Sequence, residues 1–165
     1  MKIKKDVLVV FLLLLSALLS TAFAQSYKVE LLYAVVSGTT PEYDNAEHWK
    51  ITTSLRVFMT KEEQNITVYL LTCYLNTGDV DTRRHVQKVE LVSPGGEKVI
   101  STATNAVELV GVGDKNTSLQ RAYVVAKINI PAMNTKVKEN FGIYTIKIYL
   151  DGDLVMKYPC PILAR

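Results

Sequence analysis

The chain has 165 residues and a formal net charge of +3, from 19 basic and 16 acidic side chains. Two of the three positive charges lie near the start, where Lys2, Lys4 and Lys5 outnumber Asp6, so the rest of the chain is nearly neutral. A nearly neutral chain argues against a protein that binds nucleic acid or an anionic membrane surface.

The segment from Met1 to Ala24 has the composition of a secretory signal peptide. A basic start is followed by an apolar run from Val7 to Leu19 and by small residues at Ala22 and Ala24. The apolar run is shorter than the roughly 20 residues that a membrane-spanning helix needs. We therefore expect cleavage before Gln25, export to the periplasm or the extracellular medium, and one domain over residues 25–165.

The rest of the sequence consists of short runs of apolar and polar residues separated by turn residues, the pattern of β-strands. Strands are predicted at 26–36, 48–60, 66–75, 86–92, 98–104, 119–130 and in a hairpin over 140–162. The segments 37–47 and 106–118 carry turn signals and are predicted as loops. Because no amphipathic helix pattern is present, the sequence predicts an all-β fold, a single β-sandwich of about seven to nine antiparallel strands.

The predicted strand over 66–75 is apolar on both faces. One face carries Ile66, Val68, Leu70 and Tyr74, and the other face is similarly apolar. A strand with one face in water does not need so many apolar groups. Either a long loop covers one face or another protein chain binds there, and the face formed by these four residues is the candidate interaction surface.

The two cysteines of the chain are Cys73 and Cys160. In an exported protein they could form a disulfide, which would close a long loop and stabilise the fold by about 4–5 kcal/mol in the chain-entropy model. They could equally remain two buried thiols, because a single pair fixes no spacing pattern. The sequence leaves both alternatives open.

The hairpin over 140–162 turns at Asp151-Gly152. A two-residue loop would place Ile146 opposite Lys157, whereas a three-residue loop over 150–152 pairs Ile148 with Leu154 and keeps one face apolar. We therefore predict the longer loop.

The end of this hairpin contains Pro159 and Pro161. Two prolines two residues apart lack N–H groups on the same side of the strand, which predicts an unpaired sheet edge there. Cys160 is expected on the core face, together with Met156 and Tyr158.

Two segments resemble parts of immunoglobulin-like domains. Asn140-x-Gly142-x-Tyr144, followed by alternating apolar residues and an Asp-Gly turn, resembles the tyrosine corner, and Val89-x-Leu91-x-Ser93-Pro-Gly-Gly96 resembles a strand-turn signature of bacterial secreted modules. Ile146 stands where an antibody-type domain carries its second cysteine. The resemblance implies an immunoglobulin-like β-sandwich but no particular function, because such modules serve adhesion, assembly, ligand binding and structural spacing.

The sequence shows no convincing catalytic or metal-binding pattern. Cys73 and His85 could in principle form a nucleophile–base pair, but Cys73 lies in an apolar strand, where a buried thiol is inert. The loop residues Asp79 and Asp81 lack the ligand density of a calcium loop. We expect no catalytic residues, no metal and no cofactor, and therefore no enzyme.

Two classes of function remain. The leading expectation is an exported module that binds protein, either a second copy of itself or a co-exported partner. The alternative is a small-ligand or carbohydrate site formed by Tyr43, His48 and Trp49, where aromatic side chains follow a polar loop. An exposed apolar sheet face would favour assembly, and a concave site near Trp49 would favour a ligand.

Overall fold

The chain is an all-β sandwich, as the alternation of its side chains predicts. The computed structural model describes residues 28–43, 49–50, 57–59, 65–112, 119–133 and 137–164. The strands of these residues are β1 (Val29–Ser37), β2 (Glu42–Tyr43), β3 (Trp49–Lys50), β4 (Val57–Met59), β5 (Ile66–Asn76), β6 (His85–Val92), β7 (Val99–Val107), β8 (Val110–Gly111), β9 (Gln120–Ile130), β10 (Gly142–Leu150) and β11 (Asp153–Ala164). One short 3₁₀ helix spans Lys138–Asn140, and no helix in these ranges is long and apolar enough to span a membrane.

The strands form two packed sheets and a small ribbon. The first sheet has the order β1-β5-β9-β8, and the second has the order β4-β11-β10-β6-β7. The ribbon consists of β2 and β3. Neighbouring strands are antiparallel, except that β4 runs parallel to the end of β11.

The hydrophobic core lies between the two sheets. It contains Val68 and Leu70 from β5, facing Leu91 from β6 and Ile146 and Ile148 from β10, all fully buried. Burial of this kind stabilises the fold by about 1.5–3 kcal/mol for each large apolar side chain.

The predicted interaction surface is therefore wrong. Val68, Leu70 and Tyr74 are almost completely buried, and Ile66 packs against the same core. The second sheet of the same chain covers this face, so it is not available to a partner. The sequence could not distinguish these two coverings, because both require the same apolar side chains.

The two cysteines are free thiols, Cys73 on β5 of the first sheet and Cys160 on β11 of the second. Cys160 belongs to the core between the sheets. Cys73 points outward, because its neighbour Thr72 points inward and donates a hydrogen bond to Oε1 of Gln87, 2.8 Å away. The first sheet thus separates the thiols, and the disulfide alternative is wrong. Burial raises the pKa of Cys160 to about 11.

The β10–β11 hairpin turns through two residues, so the predicted three-residue loop is wrong. Asp151 and Gly152 have φ of 52° and 96°, and Leu150 pairs with Asp153. Two positive φ values in succession give a turn whose twist matches that of the flanking strands. A bulge next to Ile148 then shifts the register.

The bulge produces an apolar pairing, which was the reason for predicting a three-residue loop. Ile148 lies opposite Met156, Ile146 opposite Tyr158, and Tyr144 opposite Cys160. Since residues with this spacing share one face, Cys160 lies on the core face with Met156 and Tyr158, which confirms that prediction.

The predicted unpaired edge at the end of β11 is wrong beyond Pro161. Ile162, Leu163 and Ala164 pair with β4. Proline removes the donor only at its own position, so a strand can acquire a neighbour directly after it.

The predicted strand over 48–60 is described only in part. Its two described parts, Trp49–Lys50 and Val57–Met59, pair with β2 and with β11 respectively. Residues 51–56 lie outside the described part of the chain.

The two segments that resemble immunoglobulin-like domains contact each other. The hydroxyl of Tyr144 donates a 2.8 Å hydrogen bond to the backbone oxygen of Asn140, the contact that defines a tyrosine corner. Gly142 has φ of 145°, and a Cβ added to it would lie 3.2 Å from Cγ of Pro94. This corner fixes the start of β10 against the turn that follows β6.

Candidate functional site

A groove opens on the outer side of the first sheet, beside the ribbon. It has a volume of about 660 Å³. Its lining residues are Tyr43, Glu108, Val110, Gly111, Val112, Arg121, Ala122 and Tyr123. They come from β2, from the segment around β8 and from the start of β9, so the groove lies where three parts of the chain meet.

A row of three residues across neighbouring strands adjoins the groove. Cys73 lies opposite Tyr33 on one side and opposite Tyr123 on the other. Burial raises the pKa of Tyr33 to about 12 and also raises the pKa of the Cys73 thiol. These raised pKa values keep Tyr33 and Cys73 uncharged at neutral pH, so Cys73 is not an activated nucleophile.

Aromatic and charged groups meet at the wall of the groove. The ring centres of Tyr43 and Tyr123 are 6.4 Å apart, with an angle of 39° between the ring planes. The guanidinium carbon of Arg121 lies 4.9 Å from the centre of the Tyr123 ring, within the range of a cation–π contact. Glu108 lies 3.5 Å from Arg84 in an exposed ion pair. The groove thus combines flat apolar surface with one positive and one negative side chain.

The structure bears on only part of the predicted ligand site. Tyr43 lines the groove and has 51% of its surface exposed. The backbone of Trp49 pairs with Tyr43 in the ribbon, but the Trp49 side chain is not among those described. His48 also lies outside the described residues.

Three residues of the groove, Arg121, Tyr123 and Glu108, were not predicted from the sequence as ligand-site residues. A signal for two of them was present: in the strand over 119–130 the core face is apolar from Ala122 to Ile130, and Arg121 and Tyr123 lie on the opposite face. A tyrosine beside an arginine on the outer face of a strand is a recognisable feature. Its proximity to Tyr43 depends on the ribbon and could not be read from spacing.

A second polar cluster lies around His85, at the start of β6. Its Nε2 is 3.0 Å from Oδ2 of Asp81, and its Nδ1 is 2.6 Å from Oδ2 of Asp151. Asp81 also accepts hydrogen bonds from Nε and Nη2 of Arg83, and Asp151 accepts one from the backbone N–H of Val86.

These contacts lower the pKa of both carboxyl groups. Hydrogen bonds from Arg83, opposed by burial and assisted by His85, hold the pKa of Asp81 far below its usual range. Burial would raise the pKa of Asp151, but hydrogen bonds from His85 and from the N–H of Val86 outweigh it and lower the pKa.

The cluster connects the loop before β6 to the turn between β10 and β11 through hydrogen bonds, which is a structural role. Both ring nitrogens of His85 are engaged by carboxylates, and the inward-facing His85 and the outward-facing Cys73 lie on different sheets. The hypothetical Cys73–His85 pair is therefore not formed. Among the described residues, no group of three or more His, Cys, Asp or Glu has an arrangement that could hold a metal ion.

Comparisons with known proteins give little guidance. No protein-family model matches the chain, and no curated protein is similar to it. Among solved structures, it is similar to the Pseudomonas fluorescens alkylpurine DNA glycosylase AlkC bound to DNA containing an abasic site analog, with a TM-score of 0.39 and 12% identity over 81% of this chain. The chain spans about 30% of the length of that protein. A similarity this low carries no argument about function.

Proposed function

We propose that this chain is an exported, non-enzymatic β-sandwich that binds a carbohydrate in the groove beside the ribbon. The observation that carries the proposal is the meeting of Tyr43, Tyr123 and Arg121 at a groove of about 660 Å³. The signal-peptide pattern from Met1 to Ala24 supports export.

The chemistry of the groove matches that of a sugar. A pyranose ring has an apolar face of C–H groups and a rim of hydroxyls. Tyrosine rings offer a flat apolar surface with a polar tip, and they lose little conformational entropy on binding. Arg121 supplies several donors in a planar arrangement, and Glu108 supplies acceptors, so the hydroxyl rim can be hydrogen-bonded from both sides.

The sheet face that was expected to bind a protein is not exposed. The apolar residues 66–74 that suggested it form the core of the sandwich. A concave site near Trp49 was the feature expected of a ligand-binding module, and a groove lined by Tyr43, whose backbone pairs with that of Trp49, supports this interpretation. The raised pKa of Cys73 and the engagement of both His85 nitrogens support a binding role over a catalytic one.

The test is a titration of residues 25–165, the expected mature protein, with neutral and uronic-acid-containing oligosaccharides, followed by NMR. We expect the chemical shifts of amides around Tyr43, Arg121 and Tyr123 to change. Replacing Tyr43 by Ala should weaken binding about tenfold or more, because a buried aromatic contact contributes on the order of 1–3 kcal/mol.

Two controls make the result specific. Tyr43→Phe keeps the ring and should retain most of the affinity, whereas Tyr149→Ala removes a tyrosine from the far sheet and should leave binding unchanged. If no oligosaccharide shifts the groove amides, or if Tyr43→Ala binds as tightly as the parent protein, the proposal is wrong.

A further inference from the structure

A smaller pocket adjoins the groove beside the ribbon. It has a volume of about 290 Å³ and lies at the loop between β5 and β6. Its lining residues are Asp81, Thr82, Arg83, Arg84, Glu108 and Leu109. Glu108 lines both cavities, and the segment 108–112, which directly follows β7, contributes to both. The two cavities therefore meet at Glu108 and form one cleft.

Hydrogen bonds hold the loop of the smaller pocket against the strand that carries the groove. The side chain of Gln120 is buried, and its Oε1 accepts a 2.6 Å hydrogen bond from the backbone N–H of Asp81. Its Nε2 donates a 2.9 Å hydrogen bond to the backbone oxygen of Asp81. Gln120 pairs with Gly111 of the groove, and the next residue, Arg121, lines the groove. Because these contacts are made within the chain, the loop is positioned before a ligand binds, which lowers the entropic cost of binding.

Positive charge predominates on the accessible surface of the cleft. Arg121 lies in the groove, and Arg83 and Arg84 line the smaller pocket. The carboxylate of Asp81 has no exposed surface and is bonded to Arg83, whereas the side chain of Glu108 is 72% exposed. Three guanidinium groups and one carboxylate thus reach the surface of the cleft, an arrangement that favours an anionic ligand.

We propose that the ligand of the groove is an acidic oligosaccharide: a carboxylate on one sugar unit binds Arg84, while another unit stacks on Tyr43 and Tyr123. This inference rests on the proposed carbohydrate site and adds to it a second subsite and the sign of the ligand's charge. A guanidinium group can hold a carboxylate through two parallel N–H···O hydrogen bonds.

The existing ion pair of Arg84 does not block this contact. Its Nε lies 3.5 Å from Oε1 of Glu108, and both side chains are 72% exposed. An exposed pair of this kind contributes little to stability, so Arg84 can exchange Glu108 for a carboxylate of the ligand at little cost.

Matched acidic and neutral ligands test the proposal. Residues 25–165 are titrated with oligomers of galacturonic, mannuronic and glucuronic acid and with the methyl ester of each, which keeps the sugar backbone and removes the charge. We expect an acid form to bind about fivefold more tightly than its ester at low salt, the effect of one exposed charge pair, and the difference to shrink at high salt. In NMR spectra the acid form should shift the amides of Thr82, Arg83 and Arg84 more than the ester does.

Three variants assign the charge preference to the smaller pocket. Arg84→Gln should reduce the ratio of acid to ester affinity to about one. Glu108→Gln removes the carboxylate that competes for Arg84 and should raise the same ratio. Lys157→Gln removes an exposed positive charge from β11 of the second sheet and should leave the ratio unchanged. Opposite effects at Arg84 and Glu108 would exclude a general loss of structure as their cause.

The outcomes separate this inference from the proposed function. Equal affinity for the acid and the ester of every sugar, or a preference that survives Arg84→Gln, would overturn the acidic subsite. Binding of an ester that depends on Tyr43 would still support a carbohydrate site in the groove. If no sugar binds in either form, both proposals are wrong.

Discussion

Replacing Asp81 by Asn tests whether the cluster around His85 stabilises the fold. The carboxylate of Asp81 is fully buried and accepts hydrogen bonds from the backbone N–H and guanidinium of Arg83 and from Nε2 of His85. In the variant, the amide nitrogen would place a donor against donors. It would also leave His85 without one of its two acceptors.

The expected loss in the free energy of unfolding follows from the contacts that the Asp81 carboxylate makes. Removing one partner of a buried ion pair costs about 3–5 kcal/mol. The Arg83 side chain is 56% exposed, so solvent screens its share and the expected loss is at the lower end, about 3 kcal/mol. Urea denaturation at pH 7 measures the free energy of unfolding, and Asp79→Asn, an exposed residue in the same loop, is the matched control.

The pH dependence gives a second readout. The pKa values of Asp81 and Asp151 are both lowered in the folded protein, so their contribution to stability is complete above the unfolded-state pKa near 4 and is lost as the pH falls. We expect the parent protein to lose stability steeply below about pH 4 and the Asn variant to lose it less steeply. A loss below about 0.5 kcal/mol at pH 7, or an unchanged acid slope, would refute the structural role of the cluster.

Three further predictions concern the corner and the thiols. Gly142→Ala should destabilise the protein by about 1–3 kcal/mol, because the added Cβ would lie 3.2 Å from Pro94 at a positive φ; Gly111→Ala, with nothing within 4 Å of the added Cβ, is the control, and equal melting temperatures for the two variants would contradict the expectation. Tyr144→Phe should cost about 1 kcal/mol in chemical denaturation, because it removes the hydroxyl that bonds to Asn140; an unchanged midpoint would mean that the corner does not contribute to stability. Thiol titration of the denatured, non-reduced protein should find both Cys73 and Cys160 reactive, while the native protein should react slowly, because both thiols are buried and their pKa values are raised; a protein with no reactive thiol after denaturation would contradict the separation of the two cysteines by the first sheet.

The sequence determined the fold class and most of the longer strands. Alternation with a period of two is a local property, so the strands later found as β5, β6, β9 and β10 could be located within a few residues. The tyrosine corner was predictable for the same reason, since Tyr144 and Asn140 are only four residues apart.

Register and sheet assignment required the tertiary structure. The apolar pairing of β10 with β11 combines a two-residue turn at Asp151-Gly152 with a bulge beside Ile148. Local pairing rules cannot place that bulge. The described parts of the 48–60 segment pair with different neighbours, β2 and β11. No pattern within one segment contains this information.

The function of an apolar face was likewise decided only by packing. Ile66, Val68, Leu70 and Tyr74 would look the same under a partner protein or under a second sheet, because the hydrophobic effect is not directional. The sequence is compatible with a disulfide between Cys73 and Cys160, whereas in the structure the first sheet lies between the two thiols. The sequence named Tyr43 as a candidate ligand residue, whereas the proximity of Arg121 and Tyr123 to it depends on the meeting of three separate strands beside the ribbon.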